Sequence, residues 1–193
     1  MKLLHLDSSA LGANSVTREL SAAIVAQWQD AVPGLAVDYR DLDANPLPHL
    51  TGGVLGGSDA AATAESEAAM DQFLASDVIV IGAPMYNFAI PSQLKAWIDR
   101  VVVAGKTFRY TEKGPEGLAV GKRAIIAVSR GGVYPQGSPA EHVENYLKFV
   151  MNFIGITDVT FVRAEGLAMS ADHRQKGLSA ALAAIPTPDA VAA

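Results

Sequence analysis

The sequence predicts an α/β fold, a doubly wound sheet of five parallel strands in the order 2-1-3-4-5 with helices on both faces. Three observations predict it. Short apolar runs alternate with longer stretches of helical spacing along the chain. The central runs, Val78-Ile79-Val80-Ile81 and Arg123–Ser129, lack in–out alternation, as strands covered on both faces do. Right-handed crossovers between five such strands lead to that order.

Each element has its own signal. Lys2–Asp7 reads as the first strand. Ser8–Ser15, small and polar with Gly12, is a loop. Ser15 caps a helix over Val16–Asp30, with Leu20, Ala23, Ile24 and Trp28 on one face. Pro33-Gly34 breaks it, and Leu35–Asp41 alternates as an edge strand does. Asn45–Asp59, with two prolines and four glycines, reads as an irregular surface segment. Thr63–Ser76 has helical spacing through Ala69, Met70, Phe73 and Leu74. After the strand at Val78–Ile81 comes a loop, Pro84–Pro91. Pro91 then starts a helix carrying Leu94, Trp97, Ile98 and Val101. Thr107–Val120, broken by glycine and proline, is an excursion or hairpin. Arg130–Pro139 is a loop, and Glu141–Phe153 is a helix with Val143, Tyr146, Leu147 and Val150 on one stripe. Val159–Ala164 is the last strand, Ala171–Ile185 the last helix, and residues from Pro186 a frayed tail. No repeat, low-complexity block or linker interrupts this pattern, so residues 1–193 form a single domain.

Composition narrows the function. Lys plus Arg is 15 against 20 Asp plus Glu, a net charge of −5 with no basic block, which argues against a nucleic-acid partner. The absence of cysteine excludes disulfides, thiol nucleophiles and thiolate metal sites, and fits a cytoplasmic protein. The apolar run at the start is too short for a signal peptide, and no run approaches a membrane span. Half the residues are hydrophobic and mean hydropathy is +0.21, which a large interface would explain. The four histidines offer no metal-ligand spacing, so no metal is expected.

In an open parallel sheet the ligand crevice lies beyond the carboxyl ends of the strands, where the strand order reverses. Three unusual loops fall there. The first sets Ser9, Ser15 and Thr17 around a helix N-terminus. Its free amides and partial positive charge suit a phosphate, although simple capping explains the same residues. It is neither a GxGxxG nor a GxxxxGK[ST] loop. The second, Pro84-Met85-Tyr86-Asn87-Phe88, puts large apolar groups at the mouth of a buried strand, as a flat aromatic ligand requires; Ile90 reads as core packing. The third, Ser129-Arg130-Gly131-Gly132, lets backbone amides approach a ligand, although an ordinary tight turn reads the same way. Together they offer a phosphate site, an apolar plane and a polar clamp, in the order flavin mononucleotide (FMN) needs.

Ala83–Phe88, Gly105–Tyr110, Gly114–Gly117, Ser129–Gly132 and Phe153–Ile156 carry a family likeness. With them the chain resembles, over residues 2–185, the FMN-dependent NADH-azoreductases, or NADH:quinone oxidoreductases, of the flavodoxin-like superfamily. The resemblance implies a homodimer with non-covalently bound FMN, NADH (or NADPH) as donor, and quinones or azo compounds reduced by ping-pong two-electron hydride transfer. Ser9, Ser15 and Thr17 would hold the phosphate. Pro84, Met85, Tyr86, Asn87 and Phe88 would line the isoalloxazine, and Ser129, Arg130, Gly131 and Gly132 would clamp its pyrimidine edge. Tyr110 and Phe153 would wall the acceptor pocket. Two positions depart from the family pattern. Val16, in the cofactor loop, replaces a common polar residue, and Arg163 stands where some members place an aromatic, which would favour anionic acceptors. Arg18, Lys106 and Arg109 bear on the choice between NADH and NADPH. No catalytic side chain is implied, because the flavin carries the chemistry.

Other readings compete. A flavodoxin-like electron carrier would show a marked acidic face around its cofactor, which a charge of −5 and apolar loops do not suggest. A hydrolase built on Ser9 and His173 lacks an oxyanion motif. The sequence neither supports nor excludes a redox-sensing interaction module.

Overall fold

The computed structural model describes residues 1–135 and 137–188. Its five-stranded parallel sheet runs β2(Ala36–Asp41)-β1(Lys2–Asp7)-β3(Val78–Pro84)-β6(Arg123–Ser129)-β7(Asp158–Ala164), the expected 2-1-3-4-5 order with a hairpin inserted. That hairpin, β4(Phe108–Thr111) and β5(Gly114–Gly117), is a separate antiparallel pair. Every residue of β3 is buried. β2 lies at one edge, as its alternation indicates.

Each face of the sheet has its own core. Leu3, Val78, Val80, Ile125 and Ala127 point to α1(Val16–Ala31) and α6(Ala171–Ala183), meeting Leu20, Ile24, Trp28 and Ala181. Leu4, Leu6, Ile79, Ile81 and Ile126 point to α3(Ala60–Leu74), α4(Ser92–Val101) and α5(Val143–Phe153), meeting Phe73, Trp97, Leu147 and Met151.

Local hydrogen bonds move several helix boundaries. Asp59 accepts from the Ala62 amide, so α3 begins at Ala60 rather than Thr63. Pro91 is the N-cap of α4 rather than its first residue. Glu141 stands just outside α5 and accepts from the amides of Val143 and Glu144 at 3.0 and 2.9 Å. In the irregular segment Thr51 caps a single turn, α2(Gly52–Leu55). The last helix ends at Ala183 rather than Ile185; of the tail expected from Pro186, Thr187 is exposed and Pro188 buried, and residues 189–193 lie outside the described residues. Among the described residues no helix is long and apolar enough to cross a membrane.

A candidate cofactor site at the carboxyl rim of the sheet

The rim is where β1, β3 and β6 end side by side, with Asp7 level with Gly82 and Pro84 level with Ser129. The three loops that leave it touch one another. The Ser9 hydroxyl lies 3.0 Å from the Tyr86 hydroxyl, which also accepts from the Ala10 amide at 3.2 Å. Met85 donates its amide to the Ser129 carbonyl at 2.8 Å, and the Phe88 ring stands edge-on to Tyr134 with centroids 6.5 Å apart.

The first loop presents helix amides rather than cations. Ser15 Oγ accepts from the Arg18 amide at 3.3 Å and lies 3.0 Å from Thr17 Oγ1. The amides of Val16 and Thr17 are in the first turn of α1, where the helix supplies no acceptor. Val16 itself is 4 % exposed and packs with Leu20 in the core, so only its amide can serve the loop. Arg18 turns away from the helix end. It grips both oxygens of Asp41 at 2.6 and 2.8 Å, and its Nη2 donates to the Ser9 carbonyl at 2.9 Å. This pair raises the Arg18 pKa and holds the Asp41 carboxyl down at about 2. Tyr39, whose hydroxyl donates to Asp7, is pushed up to about 12, first by burial and then by the Asp7 and Asp41 charges.

The second loop is strained. The amides and carbonyls of Tyr86 and Ala89 pair reciprocally at 2.9 and 3.0 Å, closing a turn on Asn87 and Phe88. Those two residues have φ of +48° and +70°, the pattern of a type I′ turn normally made by Asn-Gly. A phenylalanine held left-handed costs about 1–2 kcal/mol, and such strain gathers at ligand sites. Asn87 and Phe88 are exposed at the rim, Met85 and Tyr86 are half-buried, and Pro84 is buried. Ile90 packs against the core, as expected.

The third loop offers two amides. The carbonyls of Arg130, Gly131 and Gly132 accept from Leu167, Ala168 and Gly166 at 3.1, 3.0 and 3.0 Å. The Arg130 amide donates to Ala164 at 2.9 Å. Among the described residues the Gly131 and Gly132 amides have no acceptor. Neither glycine has a positive φ. Their need is closeness, since a Cβ on Gly131 would stand 3.2 Å from Ala168 Cβ.

The Arg130 side chain offers no donor to the rim, so only its main chain could join the expected clamp. It is 3 % exposed and ringed by Glu141, Glu144 and Glu165. Arg163 pairs with both oxygens of Glu144 at 2.7 and 2.6 Å, which neutralises the charge expected to face anionic acceptors and raises the Arg163 pKa. Tyr110 and Phe153 do come together, both against Phe108, with ring centroids 5.4 and 4.6 Å from it. They stand away from this chain's own rim. A helix that follows a parallel strand returns antiparallel to it, so α5 descends from Glu144 near the rim to Phe153, nine residues at about 1.5 Å each, or about 14 Å. His5 is buried beside Tyr39, and the His173 amide donates to the Ser170 Oγ that caps α6; neither histidine is bonded to Ser9.

Sequence reasoning missed Tyr134, Asp41, Glu141, Glu144 and Glu165. Asp41 closes β2 level with Asp7, and that register was the available signal. The glutamates carried none, being separated from Arg130 by 11, 14 and 35 residues.

The donor set suits FMN: hydroxyls and helix amides for a phosphate monoester, an apolar strained turn for a flat ring, and unbonded main-chain amides after β6 for ring carbonyls. Comparison with known proteins bears on the same point. A family model for the flavodoxin-like fold matches residues 1–187. An FMN-dependent NADH:quinone oxidoreductase of Stenotrophomonas maltophilia is 60% identical over 193 residues, covering 100% of this chain and 98% of that protein. The crystal structure of an azoreductase from Bacillus anthracis superposes with a TM-score of 0.87 at 32% identity, covering 95% of each chain. An FMN-dependent NADH-azoreductase from the same species, solved in complex with FMN, gives 0.85 at 25% identity, covering 95% of this chain and 97% of that one.

Proposed function

The chain belongs to the flavodoxin-like family that contains the FMN-dependent NADH:quinone oxidoreductases and the azoreductases, and from that premise we propose that it binds FMN at the rim and uses NADH to reduce quinones and azo compounds. When bound, FMN would supply the redox chemistry, two-electron transfer between NADH and an acceptor. The chain's own residues bind and orient. The amides of Val16 and Thr17, with Ser9, Ser15 and Thr17, would hold the phosphate without a cation. The Asn87–Phe88 turn would carry the ring, and the Gly131 and Gly132 amides would stabilise negative charge on it, as preorganised donors do.

The observation that carries this reading is the left-handed Asn87–Phe88 turn at the same rim as the unsatisfied Gly131 and Gly132 amides. Backbone strain in a non-glycine turn is retained where a ligand uses it.

We propose further that the acceptor wall is assembled by a homodimer. Tyr110 and Phe149 are 76% and 69% exposed, and they share the Phe108–Phe153 cluster remote from this chain's rim. A second copy that lays this aromatic face over the rim would deliver the partner subunit's Tyr110 and Phe153 to the flavin. The test is titration of the purified chain with FMN, followed by NADH oxidation with a quinone and by sedimentation. Flavin binding, steady NADH consumption and a dimer are expected. Bound flavin without steady turnover would identify an electron carrier instead, and a colourless protein that binds no FMN would overturn the proposal.

A further inference from the structure

We propose that Arg130, Glu141, Glu144 and Glu165 form a buried ionic clamp that positions the Gly131 and Gly132 amides, and so sets how tightly the ring end of the flavin is held. The inference rests on the FMN reading above.

Arg130 is the first residue after β6, at the point where the chain turns into the loop. Its Nη1 donates to Glu165 Oε1 at 3.0 Å and its Nη2 to Glu141 Oε1 at 3.2 Å, and Nη2 also meets Glu144. Glu165 Oε1 accepts a second hydrogen bond, from the Tyr134 amide at 3.1 Å. One carboxylate oxygen thus ties both ends of the loop, residue 130 and residue 134. Glu141 in turn caps α5, and Glu144 lies in its first turn. The clamp therefore joins the loop to the start of α5 and to the end of β7.

The backbone completes the geometry. With the carbonyls of residues 130–132 all accepting from the amides of residues 166–168, the loop can rotate only if those bonds break. Its free donors among the described residues are then the amides of Gly131, Gly132 and Val133.

The charge arithmetic argues for a purpose beyond stability. One guanidinium stands among three carboxylates, a sum of −2, and Arg163 on Glu144 brings it to −1. Burying such a group is costly, and apolar residues would hold a loop more cheaply. An ionic cluster instead fixes one geometry, which a pair of aligned donors requires. Arg163 is the outer member, half-exposed and bonded to Glu144 rather than to the loop, so it is not a positioning residue.

The test compares Glu165→Ala, Glu165→Gln and Ser15→Ala. Affinities for FMN and for riboflavin, which lacks the phosphate, are read by flavin fluorescence quenching, and backbone hydrogen exchange is read on the flavin-free chain. Glu165→Ala is expected to weaken FMN and riboflavin by the same factor, about tenfold, the effect of losing one well-aligned donor. It should also speed exchange of the Tyr134 amide and of the residue 166–168 amides that bond the loop. Glu165→Gln keeps an acceptor for Tyr134 and should recover most of the affinity. Ser15→Ala should weaken FMN and leave riboflavin unchanged. The proposal is overturned if Glu165→Ala binds both flavins within about twofold of the parent, or weakens FMN alone. A parent chain that binds no flavin would sink the FMN reading, while exchange at the Tyr134 and residue 166–168 amides would still report on the clamp. Should the alanine variant not fold, Glu165→Leu, which keeps the bulk and removes the acceptor, carries the test, with unchanged exchange and affinity counting against the clamp.

Discussion

Adding one methyl group at Gly117 should unseat the hairpin that carries Tyr110. A Cβ there would lie 2.2 Å from the Gly155 nitrogen, 2.4 Å from the Ile154 carbonyl carbon and 2.5 Å from the Gly155 Cα. All three are backbone atoms, so no side chain can swing aside. Ordinary contact begins at 3.4 Å, so the two segments must separate by 3.4 − 2.2 = 1.2 Å. That opening pulls on the bond from the Ala119 amide to the Ile154 carbonyl, 2.8 Å long, and on the Phe108–Phe153 contact. Overpacking of this kind costs about 1–3 kcal/mol. Because the clash is with backbone, we take the upper end, which at about 2–4 °C per kcal/mol lowers the melting temperature by roughly 6–12 °C. Gly121→Ala is the control. Its φ is +76° with nothing within 4 Å, so it strains the backbone without displacing the hairpin. Thermal unfolding and the KM for a quinone check the pair: Gly117→Ala should lose stability and raise KM, Gly121→Ala should lose only about 1 kcal/mol. A Gly117→Ala protein that melts within 2 °C of the parent would refute the interlock.

Val16→Pro removes one amide from the first turn of α1 at a position where proline fits, with Ser15 already extended at φ −84° and ψ 121°. It should weaken FMN by about 10–100-fold, one charge-assisted hydrogen bond, and leave riboflavin unchanged; equal losses for both flavins would refute the phosphate assignment. The Asp41 carboxyl, held at about 2 against an ordinary 3.8, contributes stability that is present above about pH 4 and is lost as pH falls through its folded value. Screening at this partly exposed pair reduces the contribution to about 1 kcal/mol. Urea midpoints for the parent and Asp41→Asn should therefore differ most above pH 4 and converge toward pH 2; a constant gap would refute the pair's role. Phe88→Gly relieves the left-handed strain, about 1–2 kcal/mol, against about 0.4–1 kcal/mol for glycine's freedom in the unfolded chain. Melting temperature should hold or rise while FMN affinity falls, and a fall in both would refute the strain argument.

What the sequence made legible was whatever depends on neighbours along the chain. Strands β3 and β6 are unbroken runs because both their faces are covered, and burial on two faces leaves that mark on every residue. Ser15 declares a cap because its partner amide is three residues away. Val16 also carried its signal, since it falls in helical register with Leu20 and Ile24, all three buried on one face. Arg130 was opaque for the opposite reason. A charged residue before two glycines reads as a surface turn, and its burial depends on Glu141, Glu144 and Glu165 arriving from two other elements. Tyr110 and Phe153, expected to wall an acceptor pocket, each pack on Phe108, and their distance from the rim follows only from the direction in which α5 runs.

The same contrast explains why a departure such as Val16 leaves the candidate site intact. At each of the three loops the group offered to a ligand is largely main chain: the first-turn amides of α1, the lifted Asn87–Phe88 peptides, and the Gly131 and Gly132 amides. A backbone donor survives any substitution except proline, so side chains at these positions are free to serve the core. Precision is then the task of residues one layer out: Arg18 on Asp41 and the Ser9 carbonyl, Tyr86 on Ser9, Arg130 on its glutamates. Substitutions in that outer layer should change affinity by moving amides rather than by removing contacts, and their effects should divide between the phosphate end and the ring end according to which loop each residue holds.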